Sequence, residues 1–129
     1  MLWWLMQQVQ ARNPATILYG LAWCFPGWIQ SRFSNQSADY LAAWLDGAKM
    51  RGVGVSYIGL SMNEEPPCAD GSCSDLQYKR KVFNDHGHSN VKIVSPDAFM
   101  NPLRPVRDGL RFICHFASSS PPSIVLCYF

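Results

Sequence analysis

The stretch Val55-Ser56-Tyr57-Ile58-Gly59-Leu60-Ser61-Met62-Asn63-Glu64-Glu65 decides how this chain is read. Its first half is mostly apolar and of strand length, too uniform for a half-exposed strand and too short for most helices, which predicts a buried parallel strand. It ends on carboxylates, and Pro66-Pro67 stops the strand there. Acids that directly follow such a strand lie at the C-terminal edge of a parallel sheet, where α/β barrels keep their chemistry.

An Asn-Glu pair at that edge has a chemical logic. In retaining glycosidases one carboxyl group protonates the departing glycosidic oxygen, and a neighbouring amide can hydrogen-bond the sugar's 2-hydroxyl, a contact that strengthens toward the transition state. On this reading Glu64 is the acid/base and Asn63 the 2-hydroxyl contact. Taken alone, the dipeptide reads more readily as a solvated turn. The rest of the chain has to shift that balance.

Outward from the strand, the elements alternate. Trp3 to Arg12 reads as a helix with Trp3, Leu5, Met6 and Val9 forming an imperfect apolar face, ended by Asn13-Pro14. No N-cap residue precedes it, so it looks cut into rather than begun. Ala15 to Trp23 is rich in strand formers and runs into the aromatic loop Phe25-Pro26-Gly27-Trp28. A second helix starts near Ser37, a plausible N-cap, places Tyr40, Leu41, Trp44, Leu45 and Ala48 on one face, and stops by Gly52 and Gly54. After a loop from Pro66 to Ser74, Asp75 to Asp85 forms a more polar helix with Leu76, Val82 and Phe83 inward, closed by Gly87. Val91 to Ser95 is a third strand that ends at Pro96-Asp97. This order is the pattern of βαβ units and predicts an α/β fold on a parallel sheet.

From Asn101 the character changes, with Pro102, Pro105, Pro121, Pro122 and Ser118-Ser119-Ser120 before the apolar run Ile124 to Phe129. No period extends the alternation, and an irregular tail is expected. Residues 3–100 thus form the organised part and 101–129 an unassigned tail.

Composition narrows the function classes. With 129 residues, 48% hydrophobic and 16% charged, the chain suits one small domain with a core. A net charge of +2, with no basic run beyond Lys79-Arg80-Lys81, is not the footprint of a nucleic-acid binder. That run reads as the solvated face of its helix. Met1 to Met6 is too short for a signal-peptide core and lacks a basic flank, and no stretch approaches a membrane span. Five cysteines do not define a compartment. Cys68 and Cys73 are close enough to pair where the compartment oxidises, and as a metal pair they lack further ligands. His86 and His88, either side of Gly87 at a helix end, read as solvated cap residues. No metal and no cofactor is expected.

With these residues in view, the chain resembles the galactosylceramidase family of glycoside hydrolases. The resemblance rests on Trp3-Trp4-Leu5-Met6, Arg12-Asn13-Pro14, Leu21-Ala22-Trp23, Phe25-Pro26-Gly27-Trp28, Gly47-Ala48-Lys49, Tyr57-Ile58-Gly59, Asn63-Glu64 and Val91-Lys92-Ile93. It covers about Trp3 to Asp97 and leaves the tail out. It implies a partial (β/α)8 TIM barrel holding about strands three to five with their helices. It also implies Glu64 as acid/base, Asn63 as a sugar contact and Trp23 as a wall of the galactose pocket. The implied substrate is galactosylceramide or a related β-galactoside, and the implied compartment for the full-length family is the lysosome. Packing at a strand end is the plainer reading of Trp23, and the resemblance favours the pocket. Trp28 and Phe25 are expected only to pack their loop.

The chain departs from the family where it matters. Met62 stands where an aromatic residue usually precedes Asn-Glu, and Glu65-Pro66-Pro67 with two cysteines gives the following loop an unfamiliar sequence. Glu64 and Glu65 are its only glutamates. A retaining glycosidase needs two carboxyl groups about 5 to 5.5 Å apart, and the family's nucleophile is a Glu on the seventh strand. Glu65 does not replace it, because consecutive residues leaving a strand point to opposite faces. Asp97 ends a neighbouring strand, at the rim of the pocket or as a loop cap, and the family does not use it as nucleophile. The expectation is therefore a truncated or mis-spliced segment of a β-galactosidase, inactive alone, whose missing strands come from the rest of a full-length protein. The alternative is a non-catalytic glycan- or glycolipid-binding α/β module.

Overall fold

A computed structural model describes residues 2–60 and 74–94 in full and 124–128 by their backbone. Asn63, Glu64, Glu65, Cys68, Cys73 and Asp97 lie outside the described residues. The elements follow in the order α1 (Leu2–Arg12), β1 (Ile17–Leu21), α2 (Asn35–Met50), β2 (Val55–Gly59), α3 (Ser74–Asp85), β3 (Lys92–Val94) and β4 (Ile124–Tyr128).

The organising strand is where its sequence places it. β2 pairs in parallel with β1 on one side and β3 on the other, and Val55, Ile58 and Gly59 are buried. The expected α/β arrangement of parallel strands and helices is therefore present, compatible with part of a barrel. Leu21 stands opposite Gly59, and Gly59 opposite Val94. A β-carbon on Gly59 would collide with the side chains of Leu21 and Tyr19, so this position takes the residue without one.

The core lies between sheet and helices. Met6 of α1, Leu41, Ala42 and Leu45 of α2, Leu18 and Ile58 of the sheet and Phe83 of α3 join one buried cluster. Leu5, expected on the inner face of α1, is exposed instead. The face that docks runs through Leu2, Met6 and Val9, the spacing that stacks side chains along one side of a helix. Two glutamines fasten α1 from outside that face. The Gln10 side-chain amide donates to Gly54 O (2.8 Å) and accepts from Gly54 N (3.1 Å), while Gln7 donates to Arg51 O.

The second helix begins earlier than Ser37. Ser34 is its N-cap, with extended backbone, and its hydroxyl oxygen accepts from Ser37 N at 3.3 Å. Both serines are chemically able to cap, and Ser37 is drawn inside, its hydroxyl placed against the carbonyls of Arg32 and Ser34. The helix ends through Arg51 and Gly52, whose φ of 70° is left-handed.

The tail holds a strand that the sequence reading does not expect. β4 runs parallel to β1, from Ile17 opposite Ile124 to Leu21 opposite Tyr128, which gives the order β3-β2-β1-β4. An irregular tail to residue 129 is thus corrected for residues 124–128. A parallel strand reads as a continuous apolar run without alternation, so the lack of a period in Ile124 to Tyr128 is no argument against one. In a sequentially wound barrel the strand after β3 lies beside β3. Here it lies at the opposite edge.

Candidate functional site

Parallel strands put their C-terminal ends at one edge, and the loops that leave there carry the expected site. The loop after β1 begins Ala22-Trp23-Cys24. Ala22 is fully buried and Trp23 is 54% exposed, so the indole leaves the core at once and stands at the edge. The next stretch is anchored by α2. Phe25 meets the Tyr40 ring edge to face at 5.9 Å, Trp28 meets the same ring at 6.2 Å, and a turn from Pro26 O to Ile29 N buries Ile29. Phe25 packs the loop as expected. Trp28 also packs on Tyr40, with much of its indole, 63% of the residue, left exposed.

Of the three sequence-derived site residues, Trp23 is described, and it lies at the edge where the chemistry is expected. Asn63 and Glu64 follow β2, the neighbour of β1, and fall outside the described residues.

Farther along the same loop, the Arg32 carbonyl meets a residue whose sequence context reads as solvent-facing. Lys79 of α3 is 2% exposed. Its ammonium donates to the Arg32 carbonyl at 2.7 Å and lies 3.4 Å from the Asp75 carboxylate in the first turn of α3. The Phe33 ring is 5.9 Å away and also carries the Arg32 guanidinium at 4.4 Å. Burial pushes the Lys79 pKa down, partly opposed by Asp75, and burial likewise lowers that of Arg32. The solvated-face expectation for Lys79-Arg80-Lys81 is therefore corrected. Lys81 is exposed and paired with Asp85, whereas Arg80 is part-buried and donates to Val91 O. The signal was present in the spacing, since Lys79 falls three residues from both Leu76 and Val82, on the apolar face.

His86 and His88 are also not plain solvated caps. His88 is buried, and both imidazoles reach Asp46 of α2, His86 Nδ1 to Oδ2 at 2.7 Å and His88 Nε2 to Oδ1 at 2.8 Å. An ionised carboxylate only accepts, so each of these nitrogens carries a proton. The bond from His86 is the largest influence holding the Asp46 carboxyl below the usual range; partial burial opposes it, and His88 adds to the lowering. The cluster joins the C-terminal parts of α2 and α3, at the sheet edge opposite Trp23. A cavity of about 180 Å³ lies there too, lined by Lys49, Val53, Gly54, Gly87, His88 and Asn90 among others. It lies by the N-terminal ends of β2 and β3, away from the Trp23 edge. Among the described residues no cluster of three or more His, Cys, Asp or Glu is suited to a metal ion.

Comparison with known proteins identifies the family of the chain. Residues 1–108 match the sequence profile of glycosyl hydrolase family 59. Galactocerebrosidase of Mus musculus is 35% identical over 108 residues, covering 78% of this chain and 15% of that protein. The Homo sapiens galactocerebrosidase is 34% identical over 102 residues, 74% of this chain and 14% of that protein. For Danio rerio the identity is 32% over 102 residues, with 74% and 15% covered. The chain thus spans about 15% of the length of the curated relatives it matches. No solved structure matches it.

Proposed function

The chain belongs to glycosyl hydrolase family 59, and from that premise we propose that it is the acid/base-bearing segment of a retaining β-galactosidase barrel. Residues 3–100 are the segment, with β1, β2 and β3 as the third, fourth and fifth strands of a (β/α)8 barrel. Residues 101–129 lie outside it. The observation that carries this reading is the pairing of Leu21 with Gly59. It sets the ends of β1 and β2 side by side, so the chain enters its Trp23 loop and its Asn63-Glu64 stretch from neighbouring strands.

The chemistry follows from the residue types. Glu64 delivers its proton to the glycosidic oxygen as the bond to the sugar breaks, then takes a proton from the water that completes hydrolysis. Asn63 holds the 2-hydroxyl, and Trp23 offers an indole face to the C–H face of the galactose. The nucleophile is a second carboxylate about 5 to 5.5 Å from the first, and we assign it to a part of the full-length protein beyond these 129 residues. No cofactor enters. The substrate is galactosylceramide or a related β-galactoside, and the setting is lysosomal glycosphingolipid breakdown. Among the described residues no helix is long and apolar enough to cross a membrane.

Titration of the 129-residue chain with methyl β-galactoside, followed by saturation-transfer NMR, tests the reading. Binding that weakens in Trp23→Ala and Asn63→Ala, without turnover of a fluorogenic β-galactoside, is expected. Absence of binding at tens of millimolar, or turnover abolished by Glu64→Gln, would overturn it.

A further inference from the structure

A buried lysine needs a reason. Removing an ammonium from water is costly, and an apolar side chain of similar length would often serve a core position at least as well. What an apolar side chain cannot do is hold a loop carbonyl. The Lys79 ammonium does this across the structure, donating to Arg32 O in the loop that leaves β1 and pairing with Asp75 at the start of its own helix. The same carbonyl lies within hydrogen-bond distance of the buried Ser37 hydroxyl of α2. Three elements therefore converge on one peptide group: the loop after β1, the first turn of α2 and the first turns of α3. That peptide belongs to the loop that begins with Trp23, and α3 is the next described element after Asn63-Glu64 in the chain.

We propose that Lys79 is a positioning residue of the sugar site, clamping the Trp23-bearing loop to α3 so that the indole keeps its place at the sheet edge. The inference rests on the sugar-site reading of Trp23. Its logic is that of any site built on loops: the residue that touches ligand is only as well placed as the contacts that hold its loop. Lys79 touches no sugar and acts through the backbone at Arg32. Asp75 tethers the ammonium, and the Phe33 ring covers it.

The test uses the full 129-residue chain labelled with 5-fluorotryptophan, the Trp23 resonance being assigned with Trp23→Phe. Lys79→Met keeps the length and packing of the side chain and removes the donor. Lys79→Arg restores a donor. In Lys79→Met the ligand-free Trp23 resonance is expected to shift and broaden, and methyl β-galactoside affinity to fall severalfold as the indole loses its preorganised place. Lys79→Arg is expected to recover most of both. An unchanged Trp23 resonance in a folded Lys79→Met chain would overturn the proposal, whatever the sugar titration shows. Where the wild-type chain binds no sugar yet the resonance moves in Lys79→Met and returns in Lys79→Arg, the positioning role stands and the sugar-site reading fails. Should Lys79→Met not fold, Asp75→Asn decides by the same two readouts, with a smaller shift in the same direction expected and no shift overturning the proposal.

Discussion

His88 Nε2 lies 2.8 Å from Asp46 Oδ1, and the imidazole is almost wholly buried while the carboxylate is partly in solvent. The pair joins the end of α2 to the chain leaving α3. Replacing Asp46 by Ala strips a buried donor of its acceptor, which costs about 1 to 3 kcal/mol. Urea denaturation of Asp46→Ala against wild type at neutral pH measures this, and His86→Ala, whose imidazole is exposed, is expected to cost less.

The same carboxylate makes stability depend on pH in a definite direction. The folded pKa of Asp46 is lowered, first by the bond from His86. A lowered folded value means the unfolded chain takes up the proton first on acidification, so the contribution is full above the ordinary carboxylate pKa of about 3.9 and is lost as pH falls through the folded value. The stability difference between wild type and Asp46→Asn is expected to shrink in denaturation curves taken below about pH 4. A difference that grew on acidification would contradict the assignment.

Ile58 of β2 is fully buried. Ile58→Ala leaves a cavity among Leu18, Leu41 and the other core residues and is expected to cost about 2 to 5 kcal/mol. In a domain whose whole stability is on the order of 5 to 15 kcal/mol, that is a large share, and loss of a cooperative thermal transition is the simplest readout.

Gly59→Ala tests the close approach of β1 and β2. The added methyl group meets the Leu21 and Tyr19 side chains, and overpacking of this kind costs about 1 to 3 kcal/mol. Calorimetry of Gly59→Ala beside Gly27→Ala, where a β-carbon meets nothing within 4 Å, separates crowding from the general effect of losing a glycine. The first is expected to lower Tm and the second to leave it nearly unchanged.

β4 makes a prediction about its neighbour. Its pairing covers the side of β1 away from β2, so deleting residues 124–129 exposes the β1 amides that face it. Hydrogen exchange of amides within Ile17–Leu21 is expected to accelerate by roughly tenfold or more, while those of β2 stay protected. Unchanged exchange across β1 would remove β4 from the sheet.

Much of the first hundred residues was legible because local rules and the global fold agree there. The run at Val55–Gly59 is mostly apolar and has a strand paired at each edge, Leu76, Val82 and Phe83 repeat at helical spacing, and the left-handed Gly87 follows α3 as an end signal. Ser37 misled because Ser34 and Ser37 cap equally well on paper, and only the docking of α2 decides which one turns inward.

By itself, the sequence determined the order of elements from α1 to β3, the parallel character of their strands and the edge where Trp23 emerges, since each follows from the periods and breakers of a few adjacent residues. The tertiary structure alone decided the fate of the charged and polar groups. Lys79 reads as solvent-facing until Arg32, 47 residues away, brings it a carbonyl. His88 reads as a cap until Asp46, 42 residues away, brings it a carboxylate. Whether a buried charge is tolerable depends on the partners that desolvation forces on it, and those partners come from distant parts of the chain. β4 belongs to the same class, because a strand is defined by its neighbour and β1 lies more than a hundred residues earlier.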